Sequence, residues 1–483
     1  MNLVLLLGVL LCVSLPAQAQ SIRLSPDEAV NLAIKNNLSL ESSRTSAATK
    51  KRASDMSWNQ FIPNVTVAGS LLRDNEQTHT TASGLAQVPW KDEMAYMGLK
   101  KNDVEMTIPG AGTLYGYVMP YSMTVDVPQW HIAGSIQTSL NISIAMFENM
   151  NRLLLDYEGG LLSYEKVKAQ LERDVRKAYH NMLLIQENIS LLRGSLTNAE
   201  RQAQMAQANY NAGLAPELAL LQAQVARDNL RPTIDQAENG LKLAMAQFSM
   251  YVGLPYDTVF ELIPVPADSV IIPLDVAELI SKAASGKPDI QELRQNILVL
   301  QSARKAQAFS LIPTLSLSWN FSTAFLKDPW KDPWFDSKDN WRNSGSLTLS
   351  LGLRLHSLLP FSQDFQAIKN LDDQIRIANI GLAQMIRGTE IEVYNTVLSL
   401  EKTRSSTQAL ERTVNLAERS YRLTEQAYQA GLQDLFQVQS AELSLRQARV
   451  QALEQYFNYL NGLIDLEYSI GVPFGTLSSR GNK

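Results

Sequence analysis

The sequence predicts a mostly α-helical protein with membrane-type β-structure: duplicated long α-hairpins joined to four strands per chain. Three observations predict it. One stretch occurs twice. The helical segments around it run too far for a compact domain. Short runs elsewhere alternate apolar with uncharged polar residues.

The duplication comes first, because self-similarity fixes an architecture before any local reading. Residues 199–255 align without a gap on residues 417–473. Glu200/Glu418, Arg201/Arg419, Tyr210/Tyr428, Gly213/Gly431, Leu214/Leu432, Arg231/Arg449, Gly253/Gly471 and Pro255/Pro473 are identical. Each copy reads as a helical hairpin. Ile189, Leu192, Leu196, Ala199, Ala203, Ala206 and Tyr210 recur in alternating steps of three and four, the seam of a left-handed coiled coil. Val414, Ala417, Tyr421, Thr424 and Tyr428 repeat it. Gly213 and Gly431 are expected to end the ascending helices as C-terminal caps, and the pattern resumes at Val438, Ala441, Leu445, Ala448 and Ala452.

From the N-terminus, residues 1–19 form a secretory signal. Leu3 to Leu15 is an apolar run too short to span a bilayer, and Ala17-Gln18-Ala19 is a small-x-small cleavage site before Gln20. Cys12 is the only cysteine. Leu10-Leu11 before it lacks the small residue of a lipid-attachment motif, so Cys12 reads as an ordinary residue of the hydrophobic region. The mature chain then has no thiol for disulfide, metal or nucleophilic chemistry.

The first repeat covers 20–255. Ser25-Pro26-Asp27-Glu28 opens a helix with an N-cap, a first-position proline and first-turn acids. It is interrupted at Asn36-Asn37 and ends at Phe61-Ile62-Pro63. A strand pair follows within 63–147, its ends marked by Val65 and Val67 and by Ile136, Leu140, Ile142 and Ile144 at period two. Residues 74–133 between them read as loops with short strands. A long hairpin fills 148–253, and residues 156–211 alone would extend roughly 80–90 Å. Pro232 is expected to kink the descending arm; Val450 stands at its place in the second copy.

Residues 256–274, with Pro264, Pro266 and Pro273, form an inter-repeat linker that packs as a small girdle. The second repeat covers 275–473. A helix from Asp275 closes at Leu311-Ile312-Pro313, the counterpart of Phe61-Ile62-Pro63. A strand pair lies in 314–356, with Leu347, Leu349, Leu351, Leu353 and Leu355 alternating with polar residues. A hairpin occupies 361–471, and residues 474–483 are a tail. Between the strands, Lys327 to Arg342 carries a tandem Lys-Asp-Pro-Trp, which reads as an exterior loop with tryptophans at a lipid interface.

Strands of this dyad pattern suit an outer membrane, where about 9–11 residues span the bilayer. Four strands cannot close a barrel, and an open edge in lipid leaves backbone groups unpaired. The chain must therefore associate with copies of itself; three copies would supply twelve strands.

With these features assembled, the chain resembles the TolC family of outer-membrane efflux proteins over nearly all of its mature length. The resemblance rests on the two Tyr-x-Ala-Gly-Leu tips, the Phe-Ile-Pro and Leu-Ile-Pro helix ends, the strand pairs and the Gly-Leu-Pro and Gly-Val-Pro closures. It implies a homotrimer with a twelve-stranded β-barrel in outer-membrane lipid, a trimeric α-barrel in the periplasm and an equatorial region near the repeat junction. It implies work as the exit duct of a tripartite pump or secretion system, beside a periplasmic adaptor protein and an inner-membrane transporter. Gly213, Leu214, Gly431 and Leu432 become adaptor-docking candidates. In the family, acids several residues past the tip glycine narrow the tunnel. The corresponding places here hold Gln437 and Ser440, with Ala219 in the first copy, so Glu217 and Asp434, nearer the tips, join Gln437 and Ser440 as periplasmic aperture candidates.

Enzymatic readings find little support. His79, His131, His180 and His356 show no metal-ligand spacing. Gly110-Ala111-Gly112 lacks the lysine and helix of a phosphate loop. Asp372-Asp373 reads as a solvated helix face. No cofactor or metal is expected. The net charge of −5, without a basic block, does not suit nucleic acid. The alternative is a periplasmic coiled-coil scaffold or adaptor, which would carry one hairpin on a soluble β-rich core rather than two hairpins and two strand pairs.

Overall fold

The computed structural model describes residues 22–76, 79–89, 105–108, 112–126, 128–264 and 275–479. The expected signal, Cys12, Gly110-Ala111 and most of the proline-rich linker lie outside the described residues. The chain forms two units, each drawing on both halves of the sequence.

The first unit is helical. Its helices are α1 (Pro26–Asn36), α2 (Leu38–Asp55), α3 (Ile144–Asn211), α4 (Glu217–Val252), α5 (Val276–Gly286), α6 (Pro288–Phe309), α7 (Gln363–Gln429), α8 (Leu435–Ile470) and α9 (Thr476–Ser479). Two short strands, β1 (Ile22–Leu24) and β7 (Phe260–Leu262), pair in parallel. Sequence alternation does not reveal three-residue strands, and β7 falls in the predicted linker.

Ser25 caps α1 through a reciprocal box: Glu28 Oε2 accepts from the Ser25 N–H at 2.7 Å, and Ser25 Oγ accepts from the Glu28 N–H at 3.3 Å. The predicted interruption falls at Asn37. Its Oδ1 accepts from the N–H groups of Ser39 and Leu40, while its Nδ2 donates to Tyr251 O at 2.9 Å. The helix expected to run from Asp275 to Leu311 is instead two helices. Lys287 breaks it with ψ 125° because a residue before proline is pushed out of the helical region, and Pro288 starts α6.

α3 and α7 hold 68 and 67 residues, about 100 Å each at 1.5 Å per residue. α3 starts at Ile144, which the sequence placed in the preceding strand. α4 continues through Pro232; Thr233 Oγ1 beside it donates to Asn229 O at 3.0 Å.

The main core joins α1, α3, α4, α8 and the β1/β7 pair through Val30, Val175, Tyr179, Met182, Phe248, Val252, Phe260 and Phe457. The buried Tyr179 hydroxyl lies 2.8 Å from Leu24 O and 2.7 Å from Ile263 O and accepts from the Ile263 N–H, so it pins both short strands to α3. A second core joins α5, α7, α8 and α9 through Ala283, Val393, Val397 and Leu466. Gly253 and Gly471 end α4 and α8 with φ of 73° and 69°. A Cβ at either would strike backbone, Asn36 O in one repeat and Gly286 O in the other. The closures thus need glycine for conformation and for space.

The second unit is built on a four-stranded antiparallel sheet of order β2-β6-β8-β9, made of β2 (Asn64–Arg73), β6 (Trp130–Ile142), β8 (Thr314–Phe325) and β9 (Trp341–Gly352). The ladders run Asn64↔Ser139, Ile136↔Phe321 and Leu317↔Leu349. β9 ends at Gly352, so Leu353 and Leu355 lie beyond it, Leu355 in a 3-10 turn. The segment read as loops and short strands contains β3 (His79–Pro89), β4 (Glu105–Ile108) and β5 (Gly112–Asp126), in order β3-β5-β4. Its glycines, prolines and methionines break the alternation that marks the other strands.

Candidate functional site

The two hairpin tips are built alike. At the first, the Gly213 N–H donates to Tyr210 O at 2.9 Å and the Leu214 N–H to Asn209 O at 2.8 Å. At the second, Gly431 and Leu432 donate to Tyr428 O and Ala427 O at the same two distances. This is the Schellman arrangement, with Gly213 and Gly431 at φ 72° and 73°. It turns Leu214 and Leu432 into solvent, 79% and 78% exposed. Behind the tips, Ala203, Ala206, Leu220 and Ala223 of the first hairpin pack on Leu435 and Tyr428 of the second.

The aperture candidates occupy the opposite side of each turn. Glu217 is the first residue of α4, after the N-cap Pro216, whose side chain makes no cap bond. Asp434 is the N-cap of α8; its Oδ1 accepts from the Gln437 N–H at 3.0 Å. Ser440 O accepts from Ser444 Oγ at 2.9 Å. Glu217, Asp434, Gln437 and Ser440 are all exposed. Asp434 therefore both caps a helix and presents charge at a tip.

Above the tips the hairpins are clasped by ion pairs. Glu200 meets Arg231 at 3.5 Å in the first hairpin, and their repeat counterparts Glu418 and Arg449 meet at 3.3 Å in the second. Arg201 pairs with Glu425, joining α3 to α7. Nearer the core, Lys166 of α3 meets Asp289 at 3.0 Å and Glu292 at 2.9 Å on α6. Burial opposes the Lys166 charge, but these two bonds outweigh it and raise its pKa. The Tyr468 hydroxyl donates to Asp289 at 2.9 Å; burial and this bond push it up to about 12. His180, buried with Nδ1 3.0 Å from Asn461 Oδ1, is held below its usual pKa by burial.

The four-stranded sheet has two opposed faces. Pairing places Val65, Val67, Ile136, Leu140, Leu315, Leu317, Trp319, Leu347, Leu349 and Leu351 on one face. Of these the β2, β8 and β9 residues are exposed. The other face carries Asn64, Thr66, Ser135, Gln137, Ser139, Asn141, Ser316, Ser318, Asn320, Ser346, Thr348 and Ser350. Aromatic groups mark both ends of the apolar face. Trp130 meets Trp330 edge-on at 5.8 Å, and Phe325 packs on Trp334 and Trp341 at 6.4 and 5.1 Å. At the other end Phe61 meets Phe147 at 5.4 Å, near the exposed Trp58. An exposed apolar band between aromatic girdles, backed by a polar face, is the pattern of a strand segment in an outer membrane. The tandem Lys-Asp-Pro-Trp loop supplies Trp330 and Trp334 to the aromatic group at one end.

Exposed apolar stripes on α4 and α7 were not read from the sequence. Leu218, Leu221, Val225, Leu243 and Met250 share one face of α4; Ile377, Ile380, Ile391, Tyr394, Leu398, Leu416 and Leu423 share a face of α7 roughly 100° wide. Their spacing was the available signal; the alanine-rich seam masked it. Among the described residues, no helix is long and apolar enough to cross a membrane, and no group of His, Cys, Asp or Glu is placed to hold a metal ion.

Fold and surfaces together define an outer-membrane channel subunit of the TolC type, its helical portion in the periplasm. The model of the outer membrane efflux protein family matches residues 131–254 and 279–472, and the chain belongs to that family. It is 23% identical over 309 residues to the pyoverdine export outer membrane protein OpmQ of Pseudomonas aeruginosa, an alignment covering 61% of this chain and 62% of that protein. It is 23% identical over 342 residues to the alkaline protease secretion protein AprF of the same organism, covering 69% of each. The solved structure of CusC superposes with a TM-score of 0.69 at 15% identity, over 93% of this chain and 92% of that one. Members of the family are channels, not enzymes.

Proposed function

We propose that three copies of this chain form the exit duct of a tripartite efflux or secretion system, conducting substrate passively from a periplasmic adaptor and an inner-membrane transporter to the exterior. The observation that carries this is the four-stranded sheet, apolar on one face and polar on the other, with the outer edges of β2 and β9 unpaired among the described residues. In lipid those edges require partners, and β2 of one copy against β9 of the next supplies them. The exposed stripes on α4 and α7 are then covered between copies. The duplicated organisation, 20–255 and 275–473, gives each copy two hairpins toward a twelve-helix tunnel.

In this reading Gly213, Leu214, Gly431 and Leu432 meet the adaptor: the glycines shape the turn and the leucines supply exposed apolar contact. Glu217, Asp434, Gln437 and Ser440 line the periplasmic aperture. The chain performs no covalent chemistry, and its energy comes from the transporter. The relatives named for pyoverdine export and for protease secretion fit this duct equally, and the substrate is set by the transporter. A scaffold or adaptor role accounts for the hairpins but leaves the girdled apolar sheet face without a purpose.

The test is the mass of the detergent-solubilised protein from outer-membrane fractions by light scattering, with single-channel conductance of the same material. A trimer with a conducting state is expected. A soluble monomer or dimer without conductance would sink the proposal.

A further inference from the structure

We propose that the membrane-spanning part of the duct is free of fixed charge and passes polar solutes of either sign, so that charge selection occurs elsewhere along the path. The inference rests on the trimeric duct reading, which turns the polar face of the sheet toward the lumen.

The observation is the composition of that face, row by row. One row across the ladders is Thr66–Gln137–Asn320–Ser346; the next is Asn64–Ser139–Ser318–Thr348. The flanking rows add more serines and an asparagine, and no acid or base stands in any of the four. The hydroxyls and amides also bond to one another: Ser316 Oγ donates to Asn141 Oδ1 at 2.6 Å, and Ser322 and Ser344 share a bond at 2.7 Å. Charge enters only at one margin of the ladders, where Arg342 lies in the row of Ala324 and His131 lies 2.9 Å from Asp74, and past the other end at Arg354.

Pores sort ions by rings of charged side chains, because a low-dielectric wall focuses the field of each fixed charge into the lumen. A wall of hydroxyls and amides offers dipoles that reorient toward either sign. It solvates what passes without concentrating cations or anions. The substrates suited to it are water-soluble, hydrogen-bonding molecules, whether anionic, cationic or neutral. Sequence supports the division of labour from the other end. The expected acidic positions past the second tip hold Gln437 and Ser440, so what charge the aperture carries stands at Glu217 and Asp434.

The test uses full-length trimers carrying Glu217→Gln and Asp434→Asn, which remove the charge assigned to the aperture, in planar bilayers, with blockers added from the exterior side. The probes are hexaamminecobalt(III), a trivalent cation, and pyrenetetrasulfonate, a tetravalent anion. Neither is expected to give voltage-dependent block of this parent channel. Ser318→Asp, which places three acids in one row of the trimer, should gain block by the cation of roughly tenfold or more, and Ser318→Lys should gain block by the anion to the same degree. Thr348→Asp and Thr348→Lys occupy the same row and repeat the measurement should either Ser318 variant fail to assemble. Voltage-dependent block of the parent channel by one sign, as strong as in the charged variants, would overturn the proposal. Charged variants that gain no block would also overturn it, because the row would not face the lumen. Absence of any channel in the wild type would instead defeat the duct reading itself.

Discussion

The two helical hairpins share a backbone and differ in what fills it. Both tips carry the same Schellman bonds, both closures use a glycine at positive φ, and both arms are clasped by an Arg–Glu pair at equivalent positions. The differences are side-chain substitutions on that frame. Pro232 in α4 stands where α8 has Val450, Pro216 precedes α4 where Asp434 caps α8, and Ser249 matches Glu467. Both Ser249 and Glu467 are buried. Duplication has preserved the positions where backbone conformation or close approach leaves one choice. Several positions where a helix tolerates more than one side chain have diverged, although the Arg–Glu clasp is kept.

The sharpest way to break the comparison is at the closures. Gly471→Ala and Gly253→Ala should each destabilise the fold by about 3 kcal/mol or more, because a Cβ meets backbone at a positive φ. Gly213→Ala and Gly431→Ala, also at positive φ but with nothing within 4 Å, should cost only about 1 kcal/mol. Thermal unfolding of the four variants checks the ordering. Next comes the proline. Val450→Pro should cost about 3 kcal/mol, because α8 has not adapted to a missing N–H; Pro232→Ala should stabilise α4, since it restores a rung. Equal and opposite shifts in melting temperature would mean that α4 had not adapted either.

Glu467 sharpens the comparison by pH. Its carboxylate accepts from the N–H groups of Gly475 and Leu477 at 2.9 and 2.7 Å, yet burial outweighs these bonds and raises its pKa. A raised acid favours the folded state fully below the unfolded value near 4.5, and that contribution is lost as pH rises through the folded value. His180 acts in the opposite sense. Its pKa is lowered, so stability is lost as pH falls from about 6.5 through the folded value. Glu467→Gln should remove the first slope and His180→Gln the second, as read from melting temperature against pH. The smallest effect belongs to the repeated clasp: Arg231→Gln and Arg449→Gln should each change stability by less than about 1 kcal/mol, and by similar amounts.

Much of this was legible in the sequence, for particular reasons. The hairpins were visible because a coiled-coil seam writes its period into the chain, and the tips because glycine is nearly obligatory where Leu214 and Leu432 donate back over the turn. The pair β8 and β9 was legible within 314–356 because apolar and polar residues alternate along it. The break at Lys287 was missed, though Pro288 signalled it. β3 and β5 were missed because their residues do not alternate. β1 and β7 are too short for a period, and the Tyr179 hydroxyl that fixes them is distant in sequence. The stripes on α4 and α7 were missed because the alanine-rich seam masked their spacing. The tip glycines Gly213 and Gly431 take the left-handed capping conformation that the sequence predicted.

The open edges of β2 and β9 have a genetic consequence. In the proposed trimer each copy completes its neighbours, so no single chain owns a finished barrel. One defective subunit, co-expressed with normal ones, would spoil every assembly it entered. With equal amounts of both, only about one assembly in eight would be built wholly of normal chains under random closure of a three-membered ring. A lesion at the sheet edge should therefore behave as a dominant trait, while a lesion that prevents the chain from ever reaching its neighbours should remain recessive.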